Sequence, residues 1–576
     1  MGSDGILMKK YRQYLLPSIL TSLAFALNEF VDCMVISNLL GKDALAVANL
    51  SCPVMLFFAA CYVLLGSGGS TRYALLLGRW DQAGAGKVFR ISMILGVMSG
   101  IMLLLAGLLF RKPMTMLLCA EESLRPMFSD YFTALLFTAP VLTTMLTFVC
   151  FLPPSGAPVV ATVVNITANG LNLIMDYVYI RIFGMGMRGA ALATVTGYLA
   201  GALIVAVLWK QKKLKITDSP VSLRDMKMTG MILALGAPPA MLQICYAVKY
   251  AYSNHLSMVY GGRTGVVAFT LCLQTFSLAS VFLLGVADTA QPLLAMLSGQ
   301  KDYKGEKAVL KRSYLLQILF SLVLVFFFEV FPTGIALLYS VRDEETLAIA
   351  VRGIRIFAMT YLFRSVCIQC MRFLQVEQKN GYAMAISLFD GLSILPIGFI
   401  LCRNVGLDGL FMAYPLSALI LLLSITAASF VAWKKNPGMY SSLFLVRTDM
   451  GIQGVLQLTI TDRPEDISEA SEQMIDFCRE NGVSGKQAFR VGLACEEMAV
   501  YTQNHRKDTG DIDLLLRIRE HEMTLNFRSI GEPFDLMHRT DEDMPENILL
   551  LQKAATSISY DYIMGMNSTQ LVVERN

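Results

Sequence analysis

The 576-residue sequence contains few charged side chains. Only 16% of its residues are Asp, Glu, Lys or Arg, whereas soluble domains average about 25%. The 12 Cys are scattered along the chain, which excludes a disulfide-dense secreted scaffold. Hydrophobic residues make up 55%, which excludes a disordered chain. Apolar runs of about 20 residues recur instead, the length at which a helix crosses a bilayer. The composition therefore predicts a large helical membrane protein.

Twelve such runs are predicted to be transmembrane helices. They cover residues 14–39, 47–77, 91–110, 127–152, 159–182, 190–209, 231–259, 266–297, 314–331, 349–374, 382–402 and 410–433. An N-terminus on the cytoplasmic side places about twenty Lys and Arg in cytoplasmic segments and about nine outside, as the positive-inside rule requires. The run of basic residues before the first span is read as part of a retained helix rather than as a signal peptide. Both termini are then predicted to be cytoplasmic, in the cell membrane.

Charge divides the chain into two parts. Residues 451–576 carry 12 basic and 22 acidic residues, a net charge of −10, while the first 450 residues carry a net charge of +14. The predicted boundaries are an N-terminal segment 1–13, an N-lobe 14–209, a basic linker 210–230, a C-lobe 231–433, a second linker 434–453 and a cytoplasmic domain 454–576. Basic loops suit an anionic membrane surface, so no nucleic-acid partner is expected.

The membrane part looks duplicated. Gly186 and Gly189 recur as Gly406 and Gly409, and further landmarks repeat at nearly the same offset of about 220 residues. These landmarks are Pro17 with Pro238, Gly66 with Gly285, Gly78 with Gly299, and Asp81 with Asp302. Six spans in each half give both halves the same orientation, which predicts parallel repeats with a cavity between them.

The landmarks resemble those of the multidrug and toxic compound extrusion (MATE) family. The matching stretches are Val31-Asp32-Cys33-Met34-Val35-Ile36 running to Gly41, Gly66-Ser67-Gly68-Gly69-Ser70, Ser155-Gly156-Ala157-Pro158, Leu171-Asn172-Leu173-Ile174-Met175-Asp176, Gly189-Ala190-Ala191-Leu192-Ala193-Thr194 and Gln291-Pro292. The resemblance covers about residues 10–435. It implies two six-helix lobes that alternate in access and export mostly cationic organic compounds, driven by a proton or sodium gradient.

Three polar residues in the first span form the candidate coupling site. Asn28 and Asp32 share a helix face, and Glu29 lies close to Asp32. Carboxylates within a membrane segment normally face a cavity, pair with other groups or exchange protons. Two neighbouring carboxylates favour binding of a proton, and with Asn28 they could instead offer oxygen ligands to Na⁺. Asp32 matches the acidic position of the family's first helix, whereas Glu29 is equally well explained as a brace for a neighbouring helix.

The second lobe contributes both positively and negatively charged candidate residues. Lys249 corresponds to Asn28 in the repeat, and it is predicted either to face Glu29 or Asp32 across the cavity or to brace its own lobe through neighbouring tyrosines. The acidic candidates in this lobe are Asp288 and Asp390, and Arg364 is a plausible ion-pair partner of Asp390.

The pattern of residues in the acidic tail, 454–576, predicts an α/β two-layer sandwich. Its expected elements are a strand at 456–461, helices at 467–481 and 486–504, strands at 512–519 and 523–527, a short helix at 548–555, and strands at 560–564 and 570–573. It resembles the GHKL ATPase fold of anti-sigma-factor serine kinases through 493–505, Gly531-Glu532-Pro533-Phe534-Asp535 and Gly565-Met566-Asn567. The family helix carries Glu, Asn and His at successive turns. This chain keeps Glu497 and His505 but has Tyr501 in place of the magnesium ligand, and no glycine occurs at 548–551.

These observations predict an all-α polytopic membrane protein of twelve transmembrane helices in two parallel repeats, with a degenerate nucleotide domain in a regulatory role. The predicted function is export of small organic cations by H⁺ or Na⁺ antiport, with no enzyme activity, no resident metal, and neither ATP nor Mg²⁺ as cofactor. The protein is predicted to be a monomer. Its predicted partners are membrane lipids and a cytoplasmic protein that binds the tail. Two alternatives stay open: a transporter-like sensor signalling through the tail, and a flippase or exporter of an anionic or lipid-linked cargo.

Overall fold

The computed structural model describes residues 5–119, 121–211, 213–338, 343–441, 445–448, 452–461, 463–504, 510–533 and 555–575. The N-lobe consists of eight helices in chain order: α1 Ile6–Leu40, α2 Lys42–Leu50, α3 Cys52–Gly78, α4 Gln82–Leu109, α5 Arg111–Leu118, α6 Arg125–Val149, α7 Pro158–Asp176 and α8 Met187–Lys210. A π-helical turn, Tyr177–Ile182, extends α7.

The C-lobe repeats this plan. Its helices are α9 Thr229–Gly299, α10 Tyr303–Val330, α11 Pro332–Leu338, α12 Glu344–Val376, α13 Asn380–Leu392, α14 Ile394–Val405 and α15 Leu407–Lys435. The spans predicted at 231–259 and 266–297 are two helical arms, together called α9, which meet at Gly262, where the backbone is not helical (φ 56°, ψ −149°). The span predicted at 382–402 is interrupted between α13 and α14.

Ten helical segments of the described chain are long and apolar enough to cross a membrane. One of them, Leu223–Gly299, contains the two arms of α9 and is long enough for two crossings. Helix α1 is 35 residues long, which is also long enough for a crossing. The protein is therefore a multi-pass helical membrane protein.

The duplication is visible in the backbone at the turns between helices. Asp81 and Asp302 cap α4 and α10 in the same way, each accepting a hydrogen bond from the amide three residues later, at 2.8 and 2.9 Å. The residues before them, Trp80 and Lys301, have φ angles of 65° and 57°. On the other face of the membrane body, Gly186 and Gly406 adopt nearly the same conformation (φ 55° and 68°). The predicted repeat landmarks thus mark equivalent turns.

The C-terminal domain is a five-stranded antiparallel sheet with two helices. The strands are β1 Ile452–Ile460, β2 Ile512–Arg519, β3 Glu522–Ile530, β4 Ser557–Ile563 and β5 Met566–Glu574, in the order β1-β2-β3-β5-β4. Helices α16 Pro464–Glu480 and α17 Gly485–Asn504 pack on one face and share an apolar core with the sheet. The helix predicted at 548–555 lies almost wholly outside the described residues.

Strands β2 and β3 are buried along nearly their whole length rather than at alternate positions. An antiparallel sheet with one solvated face would alternate buried and exposed residues. The uninterrupted burial arises because the helices cover one face and the membrane body covers the other, where buried Arg528 of β3 pairs with buried Asp302 at 2.6 Å. The face of the membrane body that carries this domain is called the domain side below.

Candidate functional site

Two carboxyl groups meet inside the N-lobe. Asp32 of α1 and Asp176 at the end of α7 lie within hydrogen-bonding reach of each other. Asp176 is fully buried, and neither of its carboxyl oxygens receives a hydrogen bond from a described donor. Two like charges this close in a buried site repel strongly, and a shared proton or a bound cation relieves that repulsion. The geometry of the pair therefore suits a shared proton or a bound cation.

Polar side chains one helical turn away accompany the pair. Asn172 precedes Asp176 by one turn of α7, and its Nδ2 donates to Thr194 Oγ1 of α8 at 3.4 Å. Asn28 precedes Asp32 by one turn of α1 and is half-buried. Amide and carboxylate oxygens at this spacing suit a proton or a hard cation, which prefers oxygen ligands. The side chain of Glu29, the third residue of the predicted site, lies outside the described residues.

The C-lobe holds a buried network of charges. Arg364 of α12 and Asp390 of α13 form a bidentate ion pair with N–O distances of 3.0 and 3.1 Å, and both side chains are buried. Tyr246 donates a hydrogen bond to Asp390 Oδ2 at 3.2 Å. The ion pair predicted between Arg364 and Asp390 is thus present, with its carboxylate well supplied with donors.

Lys249 joins this network and not the N-lobe. Its Nζ donates to the backbone carbonyl of Asp390 at 3.0 Å and lies 4.8 Å from the ring centre of Tyr414. The interpretation that Lys249 faces Glu29 or Asp32 across the cavity is therefore not what the structure shows, because Asp390 and the aromatic ring hold the ammonium group within its own lobe. The alternative, a lysine bracing the C-lobe against tyrosines, describes its position better.

Aromatic rings enclose the cationic groups of this network. The Arg364 guanidinium lies 4.6 Å from the ring centre of Phe276 and 5.2 Å from that of Tyr246. Cation–π contacts of this kind partly replace lost hydration. Two cations, Lys249 and Arg364, surround one carboxylate, Asp390. The centre of the C-lobe network therefore carries an excess positive charge, opposite in sign to the N-lobe pair.

Asp288 belongs to the contact between the lobes. Arg372 of α12 bridges from Asp288 at 3.2 Å to Ser67 Oγ of α3, also at 3.2 Å. Close by, Gln291 of α9 donates to Thr71 Oγ1 of α3 at 2.7 Å. The predicted candidate Asp288 is thereby separated from the Arg364–Asp390 pair and contributes to holding the two lobes together.

Sequence reasoning missed two residues of these sites. Asp176 stood in a quoted family stretch, but its proximity to Asp32 depends on how α1 packs against α7. The useful signal was the spacing of Asn172 and Asp176, which places an amide and a carboxyl on one face of a helix, as in Asn28 and Asp32. Arg372 was missed because an arginine near a span end is more often interfacial.

The residues of the predicted vestigial nucleotide site lie in the C-terminal domain. Glu497 of α17 is half-buried, whereas Tyr501 is buried in the core between the helices and the sheet. Gly531 follows β3, and its carbonyl accepts a hydrogen bond from Tyr562 at 3.1 Å. His505 lies outside the described residues. Tyr501 fills core space at the position where the resemblance to GHKL ATPases would place a magnesium ligand.

Comparisons with known proteins show which family the membrane body resembles. The sequence model of the MatE family matches residues 17–178 and 238–400, two segments that repeat the internal offset. The chain is 21% identical over 425 residues to the multidrug export protein MepA of Staphylococcus aureus (strain MRSA252), covering 72% of this chain and 93% of MepA. It is 22% identical over 444 residues to the probable multidrug resistance protein YoeA of Bacillus subtilis (strain 168), covering 73% of this chain and 93% of YoeA.

Solved structures share the fold. A structure of an outward-facing MATE transporter of the MOP superfamily aligns with a TM-score of 0.69 at 20% identity, covering 76% of this chain and all of that one. A MOP superfamily transporter from Pyrococcus furiosus, described as having a binding pocket of reversed polarity, aligns with a TM-score of 0.69 at 20% identity, covering 76% and 99%. The family consists of transporters rather than enzymes, and the repeated family match covers more than half of the sequence. The chain therefore belongs to the MATE family of multi-pass membrane transporters.

Proposed function

We propose that this chain is a cation-coupled multidrug exporter whose coupling site is the Asp32–Asp176 pair. The observation that carries the proposal is the pairing of half-buried Asp32 with buried Asp176, whose carboxyl oxygens receive no hydrogen bond from a described donor. A buried carboxyl pair of this kind binds either H⁺ or another cation, and it does not hold both at full occupancy. Competition between the coupling ion and an organic cation for the same pair gives antiport.

The choice between H⁺ and Na⁺ is part of the proposal. A shared proton needs only the two carboxyl groups. Na⁺ needs additional oxygen ligands, which Asn172 and Asn28 could supply from the adjacent turns. The relatives named as multidrug export and multidrug resistance proteins support an organic cargo of varied structure.

The experiment that tests this proposal is efflux of a fluorescent organic cation from proteoliposomes under an imposed H⁺ or Na⁺ gradient. Wild-type protein is expected to give gradient-driven flux with one of the two ions, and Asp32→Asn is expected to abolish it. Asp130→Asn is the matched control, because Asp130 pairs with Arg188 in an exposed ion pair remote from the site in sequence. Flux that persists in Asp32→Asn with unchanged ion dependence would remove Asp32 from the coupling role.

A second candidate function is export of an anionic or zwitterionic compound. It is favoured by the excess positive charge at Lys249 and Arg364, which a carboxylate or phosphate on the cargo would neutralise. The same vesicles loaded with an anionic dye separate the two candidates. Flux of the anionic dye without flux of the cationic dye would favour this second function, and binding of either dye without net flux would favour the sensor alternative.

We also propose that the C-terminal domain regulates transport from the cytoplasmic side. Support comes from its docking on the membrane body, from the basic loops on the domain side, and from Tyr501 at the position of a magnesium ligand. Its likeness to GHKL ATPases stays a prediction. Removal of residues 451–576 is expected to change the transport rate; an unchanged rate would argue against a regulatory role.

A further inference from the structure

The two lobes are in close contact on the domain side. Gly78 at the end of α3 and Gly299 at the end of α9 approach so closely that a Cβ added to Gly78 would lie 2.2 Å from the carbonyl oxygen of Met296. Gln375 of the C-lobe also donates to Ser67 of the N-lobe at 3.1 Å. Alternating access between two lobes requires these contacts to separate when the domain side opens.

The sheet of the C-terminal domain lies across this closed contact and binds both lobes. On the C-lobe, Arg528 pairs with Asp302, and Arg517 Nη1 donates to the carbonyl oxygen of Gln300 at 2.9 Å. Strands β2 and β3, which carry these two arginines, belong to the same hydrogen-bonded sheet as β4 and β5, which contact the N-lobe. The sheet therefore links the two sets of contacts mechanically.

The N-lobe is bound by the hairpin between β4 and β5. Its two-residue turn is Met564-Gly565, with φ angles of 56° and 74°, as the common tight hairpin turn requires. Tyr14 of α1 donates to the Met564 carbonyl at 3.2 Å, and Gly156 approaches the turn so closely that a Cβ there would lie 2.7 Å from the Gly565 nitrogen. Met564 is buried in an apolar cluster shared with the membrane body.

Two further contacts hold the domain to the N-lobe. Gln82, the first residue of α4, donates to Asp561 of β4 at 2.5 Å. Lys9 near the start of α1 pairs with Asp511. The Lys9 side chain is 45% exposed, so solvent screens this ion pair and it contributes little to docking.

The linker anchors the domain to the C-lobe. The chain runs directly from α15 of the C-lobe through residues 436–448 toward β1. Arg447 of this linker pairs with buried Glu377 at 2.8 Å, and Lys379 donates to the Leu445 carbonyl at 3.4 Å. Breaking the buried Arg528–Asp302 pair would leave an uncompensated charge. Among the described residues, the domain is therefore held to the C-lobe by a covalent connection and a buried ion pair, and to the N-lobe by hydrogen bonds, an ion pair whose lysine is exposed, and the packed hairpin tip.

We propose that the C-terminal domain moves with the C-lobe, and that its β4–β5 hairpin is a latch on the N-lobe that must release each time the domain side opens. The latch stabilises the state in which the domain side is closed, and any influence that weakens its grip on the N-lobe speeds the cycle. This inference rests on the transport function proposed above and specifies how the domain would regulate it.

A reversible thiol cross-link on each side of the domain tests the proposal. Gln82→Cys with Asp561→Cys joins the domain to the N-lobe. Lys304→Cys with Val455→Cys is the matched control and joins it to the C-lobe, where Lys304 Nζ now donates to the Val455 carbonyl at 3.2 Å. Both pairs are introduced into full-length protein without other reactive cysteines and bridged by a short bifunctional methanethiosulfonate. Dye flux is then measured before and after reduction of the bridge.

The N-lobe cross-link is expected to abolish flux, with recovery on reduction, and the C-lobe cross-link is expected to leave flux unchanged. Full flux with the N-lobe cross-link in place would overturn the latch. Loss of flux with both cross-links would overturn the statement that the domain moves with the C-lobe.

A second readout keeps the test independent of the cargo. Backbone hydrogen exchange at residues 64–78 and 291–299 reports separation of the lobes on the domain side. The bridged N-lobe pair is expected to slow this exchange relative to the reduced protein, and the bridged C-lobe pair is not. If the reduced protein moves no dye but its exchange responds as expected, the transport proposal fails and the latch stands. An equal exchange rate in the bridged and reduced N-lobe pair would overturn the latch.

Discussion

The N-lobe and the C-lobe share a backbone plan but have interiors of opposite charge. Their caps at Asp81 and Asp302 make the same hydrogen bond at 2.8 and 2.9 Å, and the family model matches both halves. Yet the N-lobe interior presents the carboxyl pair Asp32–Asp176, whereas the C-lobe interior presents two cations around Asp390. Duplication thus preserved the residues that fix turns and close helix contacts, while the charges that would select ions and cargo diverged.

This difference predicts that the two lobes respond differently to mutation. A carboxyl pair that binds a mobile cation controls flux more than stability, because its charge must change during the cycle. A saturated ion pair such as Arg364–Asp390 controls stability more than flux, because each partner already neutralises the other.

The largest effect is expected from the N-lobe pair. If Asp32 and Asp176 share one coupling ion, Asp176→Asn should abolish gradient-driven flux as completely as Asp32→Asn does. The double variant should then be no worse than either single variant, since the effects of residues acting as one unit do not add. Measuring flux in wild type, the two single variants and the double variant, with Asp130→Asn as control, completes a double-mutant cycle. Residual flux in one single variant that disappears only in the double variant would show two independent sites.

The next effect concerns stability of the C-lobe. Arg364→Ala removes the bidentate partner of Asp390 and leaves Lys249 as the neighbouring cation, so the free energy of unfolding should fall by at most about 3–5 kcal/mol. Arg352→Ala is the control, because Arg352 pairs with Asp408 while its side chain is 57% exposed, and such pairs contribute about 0–1 kcal/mol. Unfolding in a denaturing detergent series measures both. Equal losses in the two variants would contradict the assignment of Arg364–Asp390 as a structural pair.

A smaller effect is expected from Lys249. Lys249→Met removes the excess cation and leaves Arg364 paired with Asp390, so the lobe should still fold. Because Lys249 lies in the C-lobe network, cationic flux and its coupling ion should be unchanged, while flux of an anionic dye, where present, should fall. Lys434→Met, on an exposed helix end, is the control. A changed ion dependence in Lys249→Met would instead support communication with the N-lobe pair.

The smallest effect is a pH dependence of the latch. Burial against the membrane body raises the pKa of Asp561 from 3.8 to about 6, although the hydrogen bond from Gln82 acts in the opposite direction. In the released domain the pKa of Asp561 should return toward its ordinary value of 3.8. At a pH between 3.8 and about 6, docking is therefore accompanied by uptake of a proton. Docking on the N-lobe should therefore strengthen as the pH falls through about 6 and weaken as it rises.

The distance between spin labels at Gln211 of the N-lobe and at exposed Phe489 of α17 measures this docking. A longer-distance population should grow between about pH 4 and pH 6 in wild type and level off above that range, and it should grow much less in Asp561→Asn. Asp476→Asn, at an exposed position of α16, should titrate as wild type does. On the C-lobe, burial alone would raise the pKa of Asp302, but Arg528 and Arg517 outweigh it and lower that pKa, so this contact should hold throughout the range.

Local physics allowed much of the fold to be predicted. The candidate membrane spans followed from apolar runs, since a helix that crosses a bilayer needs about 20 apolar residues wherever it packs. The order of strands and helices in the tail followed from period and turn chemistry, and the described elements confirm it, with β3 extending to Ile530 rather than ending at Phe527. The docking contacts could not be predicted in this way: Arg528 and Arg517 of the tail bind the C-lobe, and Asp561 and Asp511 bind the N-lobe.

The sequence by itself determined the membrane class, the duplication, the cap residues and the acidic position on α1, because these depend on neighbours within a few residues or on a regular repeat. Only the tertiary structure decided which charges meet. Asp32 and Asp176 are 144 positions apart, Lys249 and Asp390 are 141 apart, and the hairpin at Met564 reaches Tyr14 from the other end of the chain. Electrostatic interactions act through space, so the partners that decide function depend on helix packing, which the local pattern of residues does not specify.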